Sequence, residues 1–260
     1  MPSSDDAWAV VADRYVDHYR SVRGRVRTHV IDSHLAMHLP PPPAKVVDIG
    51  GGAGHQSLPL ARRGYQVCLV DPSPSMLAHA RSSVEAEPVD VGARFRTVEA
   101  VGQDAPSILA PERFDAVLCH GVLPYLEDPA RLIAALCDLA VPGGLISIVA
   151  KNRDALPMMP ALKEDWDAAI AAIDATHEVN RLGLPTRADT VPGIAAILED
   201  NLVEVVDWYG VRFFSDVFTD REPEHVDALL ELELEMSRRD PYRQLSRLFH
   251  ILGRRRVRPS

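Results

Sequence analysis

The residues best suited to chemistry lie in one segment, VVDIGGGAGHQSLPLARRGYQVCLVD. Asp48, Gly50, Gly52 and Gly54 form a D-x-G-x-G-x-G pattern after an apolar, strand-like run, and Asp71 ends the next such run. Glycines let a ligand approach the backbone closely, and a carboxylate accepts hydrogen bonds from two ribose hydroxyls. The distance from the glycines to the second acid is typical of nucleoside-binding βα units. The segment therefore predicts a nucleoside cofactor.

The same residues disfavour two other kinds of nucleotide site. The glycine spacing is G-x-G-x-G, whereas nicotinamide and flavin dinucleotides are held by G-x-G-x-x-G. The chain also has no G-x-x-x-x-G-K-[ST] phosphate loop, so hydrolysis of ATP or GTP has little support.

Strand-like and helix-like segments alternate around this loop, which predicts an α/β fold with a mostly parallel seven-stranded sheet and helices on both faces. The predicted strands are 45–50, 65–70, 94–98, 114–119, 145–150, 203–208 and 247–255. The predicted helices of this core are 55–63, 75–85, 128–139, 191–199 and 223–239.

We expect a single domain over 1–260, in four parts. Two N-terminal helices, interrupted by the Arg-rich RSVRGRVR, occupy 1–43, and the cofactor-binding core occupies 44–151. Residues 152–186 form a helical insertion that caps the carboxyl edge of the sheet, although a helix that merely extends the core is an alternative. Residues 187–260 complete the sheet.

The composition limits the partners and the cellular location that we expect for this protein. The 260 residues carry 28 Lys and Arg against 37 Asp and Glu, a net charge of -9 that opposes indiscriminate binding to nucleic acid or anionic lipid. The three cysteines are widely spaced in apolar runs, as expected for reduced core thiols. The N-terminus is acidic rather than basic and apolar, and no run is long enough to span a membrane, so we expect a cytoplasmic protein.

The loop, Asp71 and the βα alternation resemble class I S-adenosylmethionine-dependent methyltransferases, which have a Rossmann-like fold. The resemblance covers about 44–208, including FDAVLCHGVLPYLEDP and VPGGLISIV. It implies that the loop passes the methionine portion of the cofactor and that Asp71 holds the ribose. It also implies that Gln103 and Asp104 face the adenine.

A narrower resemblance, to bacterial tRNA 5-carboxymethoxyuridine methyltransferases, reaches both ends of the chain. It rests on RGRVR, GGGAGHQS, GQD, CHGVLPYLEDP, GVRFFSD, LLELELEMSRRDPY and FHILGR. This family forms a methyl ester on a wobble uridine, so the resemblance implies a tRNA anticodon loop as partner. The cofactor residues expected for S-adenosyl-L-methionine are Arg27, Asp48, Gly50, Gly51, Gly52, Gly54, Asp71, Pro72, Met76, Gly102, Gln103, Asp104 and His120.

A carboxylate acceptor needs no catalytic base, because it is already nucleophilic, and alignment would supply most of the acceleration. No residue is assigned to the chemical step. An arginine fork suits an acceptor carboxylate, and an aromatic ring suits a base. The acceptor-orienting candidates are Arg187, Arg212, Tyr125, Asn152 and Tyr242, with Arg27 as a further arginine.

Two other functions stay open. A methyltransferase of the same fold acting on a small metabolite would use the cap to close an apolar pocket, and a non-catalytic cofactor-binding protein would keep only the loop. Basic clusters at Arg20–Arg27 and Arg238–Arg258 would serve tRNA phosphates if folding joins them beside the carboxyl edge, and are otherwise solvated faces. His34 and His38 have metal-ligand spacing on a helix, but no third ligand is evident, so we expect no metal.

Overall fold

The computed structural model describes residues 15, 17, 19–180, 183–217 and 223–257. Its centre is a seven-stranded sheet with the order β3-β2-β1-β4-β5-β9-β8. Strands β1 to β5 pair in parallel, and β9 is antiparallel to both of its neighbours, β5 and β8. The sheet strands are β1 Lys45–Ile49, β2 Gln66–Asp71, β3 Phe95–Glu99, β4 Phe114–His120, β5 Ala140–Lys151, β8 Val203–Val211 and β9 Leu248–Arg255.

Helices cover both faces of the sheet, as the alternating pattern predicts, and the fold class is confirmed. Apolar side chains of α1, α2, α3 and α10 pack on one face, and those of α5, α6 and α9 pack on the other. The helices are α1 Val22–His38, α2 Leu58–Arg62, α3 Pro74–Glu85, α4 Val89–Gly92, α5 Ala105–Ile108, α6 Ala130–Leu139, α7 Met158–Leu162, α8 Trp166–Ala171, α9 Val191–Asp200, α10 Val226–Met236 and α11 Tyr242–Leu245.

Helix α1 narrows the predicted interruption within the Arg-rich segment to Ser21, since the described residues just before it, such as Tyr19 and Arg20, are also helical. The helix begins after Ser21, whose side chain accepts a hydrogen bond from the Gly24 backbone N–H, and it continues through the rest of that segment to His38. Arg23 and Arg27, four residues apart, are buried on one face of the helix, where tertiary contacts stabilise it despite its weak local pattern. The first predicted helix lies largely outside the described residues.

The segment after β5 corrects the prediction of a purely helical cap. It contains the short helices α7 and α8 and then a two-stranded hairpin, β6 His177–Val179 paired with β7 Pro185–Arg187. The hairpin extends one residue beyond the predicted boundary at 186. Strands of three residues are too short to give a readable alternation in the sequence.

Strand β5 is longer than the predicted 145–150 because it includes the VPGG turn. The register against β4 shifts between Phe114 and Ala116, so residues 141–144 bulge from the ladder. Gly143 in the bulge has a φ of +79°, which suits glycine. Within the described residues, no helix is both long and apolar enough to cross a lipid bilayer.

Candidate functional site

The glycine loop connects β1 to α2 at the carboxyl edge of the sheet. Gly50, Gly52 and Gly54 have φ values of +69°, +56° and +79°, in the left-handed region that favours glycine. A Cβ built on Gly52 would meet only Met76 Sδ, at 3.9 Å, whereas one on Gly50 would lie 2.2 Å from Val122 Cγ2. Gly52 therefore leaves its backbone open to a ligand, and Gly50 serves packing.

Asp71 is the acid of the neighbouring strand, and the structure fixes its orientation. One carboxylate oxygen accepts a hydrogen bond from the Gly52 backbone N–H at 2.9 Å, and the other accepts from the Ser73 N–H at 2.9 Å. Burial raises the pKa of Asp71, and the two backbone bonds lower it. A carboxylate held in this way beside the glycine loop fits the two ribose hydroxyls of a nucleoside.

Asp48, near the end of β1 and just before the loop, packs against the backbone of Gly51. Its side chain is buried, and burial raises its pKa to about 7. A Cβ on Gly51 would lie 2.6 Å from Asp48 Oδ2, so Gly51 is required for this packing. The structure thus gives Asp48 and Gly51 a role in shaping the loop.

The remaining predicted cofactor residues follow β2 and β3 at the same edge. Met76 is buried in the first turn of α3, whose N-cap Ser73 follows Pro72. Gly102, Gln103 and Asp104 form a single 3₁₀ turn after β3. Gln103 is half-buried, whereas Asp104 is exposed, 3.8 Å from Arg131.

Arg27 ties helix α1 to the carboxyl end of β4. Its Nη2 donates to the backbone oxygen of His120 at 2.9 Å, and its Nη1 donates to Tyr19 Oη at 3.0 Å. The Tyr19 ring stacks on His55 of the glycine loop, with ring centroids 4.2 Å apart. Arg27, His120 and the loop are therefore brought together, as the resemblance implies.

Gln56 is a candidate that the sequence analysis missed. Its side chain is only 5% exposed, and neither the amide nitrogen nor the amide oxygen has a hydrogen-bond partner among the described residues. A buried amide without partners is unusual, because its desolvation is left uncompensated. Gln56, two residues after the last loop glycine, and the open backbone at Gly52 fit a polar ligand at this loop.

A second group of residues lies at the same edge, farther along the sheet. Lys151 ends β5, Arg247 precedes β9, and Arg212 follows β8, so three adjacent strands carry a cation at one edge. We call Lys151, Arg212 and Arg247 the acceptor-side cations. Only Arg212 was an acceptor candidate from the sequence, because the pairing of β9 between β5 and β8 is not readable locally.

The acceptor-side cations share two carboxylates. Lys151 Nζ lies 2.6 Å from Glu178 Oε1, and Arg247 donates to the same oxygen. Arg212 pairs with Asp216, which also lies 3.6 Å from Arg23 Nε.

Each arginine of this group keeps a buried donor. Within the described ranges, Arg212 Nε and Arg247 Nη1 are buried without a hydrogen-bond partner. Arg212 also has a φ of +66°, an unfavourable conformation for a non-glycine residue. Such strain is often found at functional sites.

The other acceptor candidates are engaged by the protein. Arg187 donates to Asp189 and to the Glu127 backbone oxygen, and the Asn152 amide donates to the backbone oxygens of Gln244 and Ser246. Tyr125 Oη accepts from Asn180 at 3.4 Å. Tyr242 is exposed and packs edge-on against Phe213.

The C-terminal basic cluster is divided between the two edges of the sheet, so only part of it can join the N-terminal cluster: Arg247 precedes β9 at the carboxyl edge, beside the site. In the N-terminal cluster, Arg23 and Arg27 are buried, and Arg20 and Arg25 are exposed. Because β9 is antiparallel to β5, Arg254 and Arg255 lie at the amino edge, opposite the site, where they donate to backbone oxygens. Arg258 lies outside the described residues.

His34 and His38 have separate partners. His34 is hydrogen-bonded to His250 and Ser237, and His38 is hydrogen-bonded to Tyr209 Oη at 2.7 Å. Among the residues that the structure describes, no group of three or more His, Cys, Asp or Glu side chains is placed to hold a metal ion. The cysteines Cys68, Cys119 and Cys137 are free and buried.

Comparisons with known proteins agree with this geometry. Residues 47–148 match a family described as "Methyltransferase domain". The tRNA 5-carboxymethoxyuridine methyltransferase of Escherichia coli (strain K12) is 29% identical over 243 residues, which is 91% of each chain. A ubiquinone biosynthesis O-methyltransferase of Stutzerimonas stutzeri (strain A1501) is 34% identical over 129 residues, covering 50% of this chain and 52% of that protein.

The fold has solved counterparts. A putative methyltransferase of Haloferax volcanii, solved in complex with the Trm112 methyltransferase activator, aligns with a TM-score of 0.66 and 15% identity. The alignment covers 99% of this chain and 100% of that one. These findings replace the non-catalytic alternative: the chain is an S-adenosylmethionine-dependent methyltransferase with a Rossmann-like fold.

Proposed function

We propose that this methyltransferase forms a methyl ester on the carboxymethoxy group of 5-carboxymethoxyuridine at the wobble position of tRNA, in the cytoplasm. The Escherichia coli relative named for that nucleoside aligns over nearly the whole of both chains, which supports the proposal. The observation that carries it is the group of acceptor-side cations, which favours an anionic acceptor.

The charge argument starts from Glu178. Its carboxylate is shared by Lys151 and Arg247, so one negative charge faces two positive charges in a partly buried environment. Burial lowers the pKa of Lys151, Glu178 raises it, and the charges of Arg247 and Arg212 lower it further. A second carboxylate, supplied by the acceptor, would compensate this surplus and accept from the buried donors of Arg247 and Arg212.

The reaction itself asks little of the protein beyond positioning. The bound cofactor supplies an electrophilic methyl group on a sulfonium. An acceptor carboxylate oriented by the acceptor-side cations would be the nucleophile for that methyl group, and the cofactor sulfur would keep the electron pair of the broken carbon–sulfur bond. No proton is released, so no base is required. His120 suits this chemistry because burial holds its pKa well below the usual range, which makes it a weak base.

The grip on tRNA phosphates is assigned to the start of helix α1. Arg25 is exposed on this helix, which Arg27 ties to the carboxyl end of β4, and Arg20 is exposed just before the helix begins. Cations at this position lie beside the edge that holds the site, and each phosphate contact adds to the salt dependence of binding. The basic residues at the amino edge are excluded from this role by their position.

A small-molecule acceptor is the second candidate, and the cap favours it. The cap segment around the exposed Trp166 carries one exposed cation, Lys163, and four exposed acids, namely Glu164, Asp165, Asp167 and Asp174. This surface repels phosphates. The ubiquinone biosynthesis O-methyltransferase that matches half of this chain provides a precedent for a non-nucleic-acid acceptor.

The experiment compares two tRNAs that differ only at the wobble position. One carries 5-carboxymethoxyuridine, and the other carries 5-methoxyuridine, which lacks the carboxylate. We expect labelled methyl transfer from S-adenosylmethionine to the first tRNA alone, with an apparent affinity that falls as salt rises. Equal labelling of both, or labelling only of a panel of phenols and small carboxylic acids, would contradict the proposal.

A further inference from the structure

A buried chain of hydrogen bonds runs between helix α1 and the sheet, from helix α10 to the carboxyl end of β4. Ser237 Oγ lies 2.9 Å from His34 Nε2, and His34 Nδ1 lies 3.2 Å from His250 Nδ1. His250 Nε2 lies 2.7 Å from Ser147 Oγ, which lies 2.8 Å from His120 Nε2. All five side chains are buried.

The number of protons on each side chain determines which partner donates in every hydrogen bond of this chain. Ser237 has a single hydroxyl proton, and its Oγ lies 2.6 Å from the backbone oxygen of Leu234, which can only accept. Because Ser237 donates its only proton to the Leu234 oxygen, it must accept a hydrogen bond from His34 Nε2. His34 Nδ1 then has no proton and accepts from His250 Nδ1. Burial lowers the pKa of His34 to about 2 and that of His250 to about 3, so each ring carries one proton.

The direction continues to the edge of the sheet. His250 Nε2 has no proton left and accepts from Ser147, whose proton is then used, so His120 Nε2 donates to Ser147. His120 is therefore the Nε2–H tautomer, and its Nδ1 presents a lone pair. This nitrogen is buried without a partner in the described part of the chain.

The opposite direction is less favourable at both ends. It would remove the Ser237 hydroxyl proton from the Leu234 oxygen and would place an unpaired N–H at His120 Nδ1. A buried donor without an acceptor loses its hydration uncompensated.

The hydrogen-bond chain ends at a group that cannot exchange protons with solvent. It can therefore position His120, but it cannot carry protons away from it. Its far end is a backbone oxygen inside helix α10, and Ser237 is buried. A proton taken up at His120 would find no solvent at the other end. The arrangement therefore sets the orientation and tautomer of His120 and does not conduct protons.

We propose that Ser237, His34, His250 and Ser147 are positioning residues that hold His120 as the Nε2–H tautomer, so that its Nδ1 accepts a hydrogen bond from the ammonium of the cofactor. Arg27, next to His120, offers a cation to the carboxylate of the same amino-acid end. The pair of a guanidinium and an imidazole lone pair is complementary to an α-amino acid. This inference does not depend on the identity of the methyl acceptor.

The direct test is nitrogen NMR of the ligand-free protein labelled with ¹⁵N-histidine. We expect pyrrole-type shifts at Nε2 of His34 and His120, a pyrrole-type shift at Nδ1 of His250, and pyridine-type shifts at the other three nitrogens. On adding S-adenosylmethionine, the His120 Nδ1 resonance should shift toward a hydrogen-bonded value. A pyrrole-type Nδ1 on His120 in the ligand-free protein would overturn the proposal.

Ser237→Ala tests the distant end of the chain. Without the hydroxyl, both directions leave one buried N–H unpaired, so His120 should become a mixture of tautomers. If about half of the molecules keep the competent tautomer, the Kd for S-adenosylmethionine rises about twofold. Ser237→Thr keeps a hydroxyl and should restore both the shifts and the Kd.

Ser33→Ala is the matched control, because Ser33 lies on the same helix as His34 and its exposed hydroxyl donates to the His29 backbone oxygen, away from the histidines of the hydrogen-bond chain. We expect wild-type shifts and Kd for it. Unchanged His120 shifts in a folded Ser237→Ala protein would show that the chain does not set the tautomer. If that variant fails to fold, the wild-type spectrum still decides the question.

Discussion

Lys151 and Arg247 donate to the same oxygen, Oε1 of Glu178, although Lys151 ends the fifth strand and Arg247 precedes the last. Glu178 itself lies on the cap hairpin, so this contact joins the cap to the sheet at the edge where the site lies. The same three residues therefore link the position of the cap to the charge of the proposed acceptor site.

Arg247→Gln should impair transfer more than cofactor binding. The variant removes a cation and a buried donor that we assign to the acceptor carboxylate, and a hydrogen bond to a charged group contributes about 1.5 to 3 kcal/mol, roughly 10- to 150-fold in rate. The measurement is kcat/KM for the tRNA acceptor together with calorimetric binding of S-adenosylmethionine.

Arg243→Gln is the control for that variant. Arg243 lies four residues earlier, pairs with Asp240 and stacks over Trp208, with its guanidinium carbon 4.2 Å from the ring centroid. We expect near wild-type transfer from it. An Arg247→Gln enzyme with unchanged kcat/KM would remove Arg247 from the acceptor site.

Glu178→Gln should destabilise the fold. Lys151 and Arg247 would lose their shared carboxylate while remaining partly buried, at a cost of about 1 to 3 kcal/mol. Urea unfolding measures the loss. The variant should also bind small carboxylates such as acetate more tightly than the wild type, because the site becomes more positive. Wild-type stability would show that the shared contact contributes nothing.

Gly52→Val should weaken cofactor binding in a folded protein. The valine would occupy the open space above the loop and would be strained at a φ of +56°. We expect the Kd for S-adenosylmethionine to rise by more than about tenfold, the effect of about 1.4 kcal/mol. Gly143→Val is the control, since Gly143 has a φ of +79° with nothing near its Cβ position and lies in the β5 bulge. Tight binding by Gly52→Val would refute the assignment.

Acid should destabilise the protein through its buried histidines. The folded-state pKa values of His34 and His250 are about 2 and about 3, against 6.5 in the unfolded chain, so the unfolded state binds more protons below pH 6.5. Each group then removes about 1.4 kcal/mol per pH unit down to its folded pKa. Burial raises the pKa of Asp48 from its ordinary value of 3.8 to about 7, so acidification between those values stabilises the fold and offsets the effect of about one histidine.

The acid prediction is checked by urea unfolding at pH 7.5 and pH 5 for the wild type, His34→Gln and His29→Gln. His34→Gln should show a smaller loss of stability on acidification than the wild type. His29 is exposed on the same helix, and its variant should behave as the wild type does. Identical pH dependence in all three proteins would exclude His34 as a source of acid sensitivity.

The sequence alone is sufficient to predict those parts of the candidate site that depend on a local residue pattern. The glycine loop and Asp71 are readable because each directly follows a buried apolar strand, and the βα alternation then places them at one edge. The helical spacing of Arg23 and Arg27 was obscured, because the segment is rich in arginine and contains Gly24. Its helix is stabilised by distant contacts, such as the bond from Arg27 to the His120 oxygen.

The acceptor side depends on long-range pairing, which a single sequence does not display. Lys151 and Arg247 become neighbours only because β9 inserts between β5 and β8 in antiparallel register. The histidine chain has the same origin, since His34, Ser147 and His250 come from a helix and two strands that are far apart in the sequence. Gln56 has a weak local signal, namely its position two residues after the last glycine of the loop.

The most direct test of the account is the mass of the nucleoside produced from tRNA that lacks the terminal methylation. After incubation with S-adenosylmethionine, digestion to nucleosides should give 5-carboxymethoxyuridine carrying one additional methyl group, and mild base should remove that group because it is an ester. A methylated product that resists base, or no product from an enzyme shown to bind the cofactor, would contradict the assignment of a tRNA carboxylate as the acceptor.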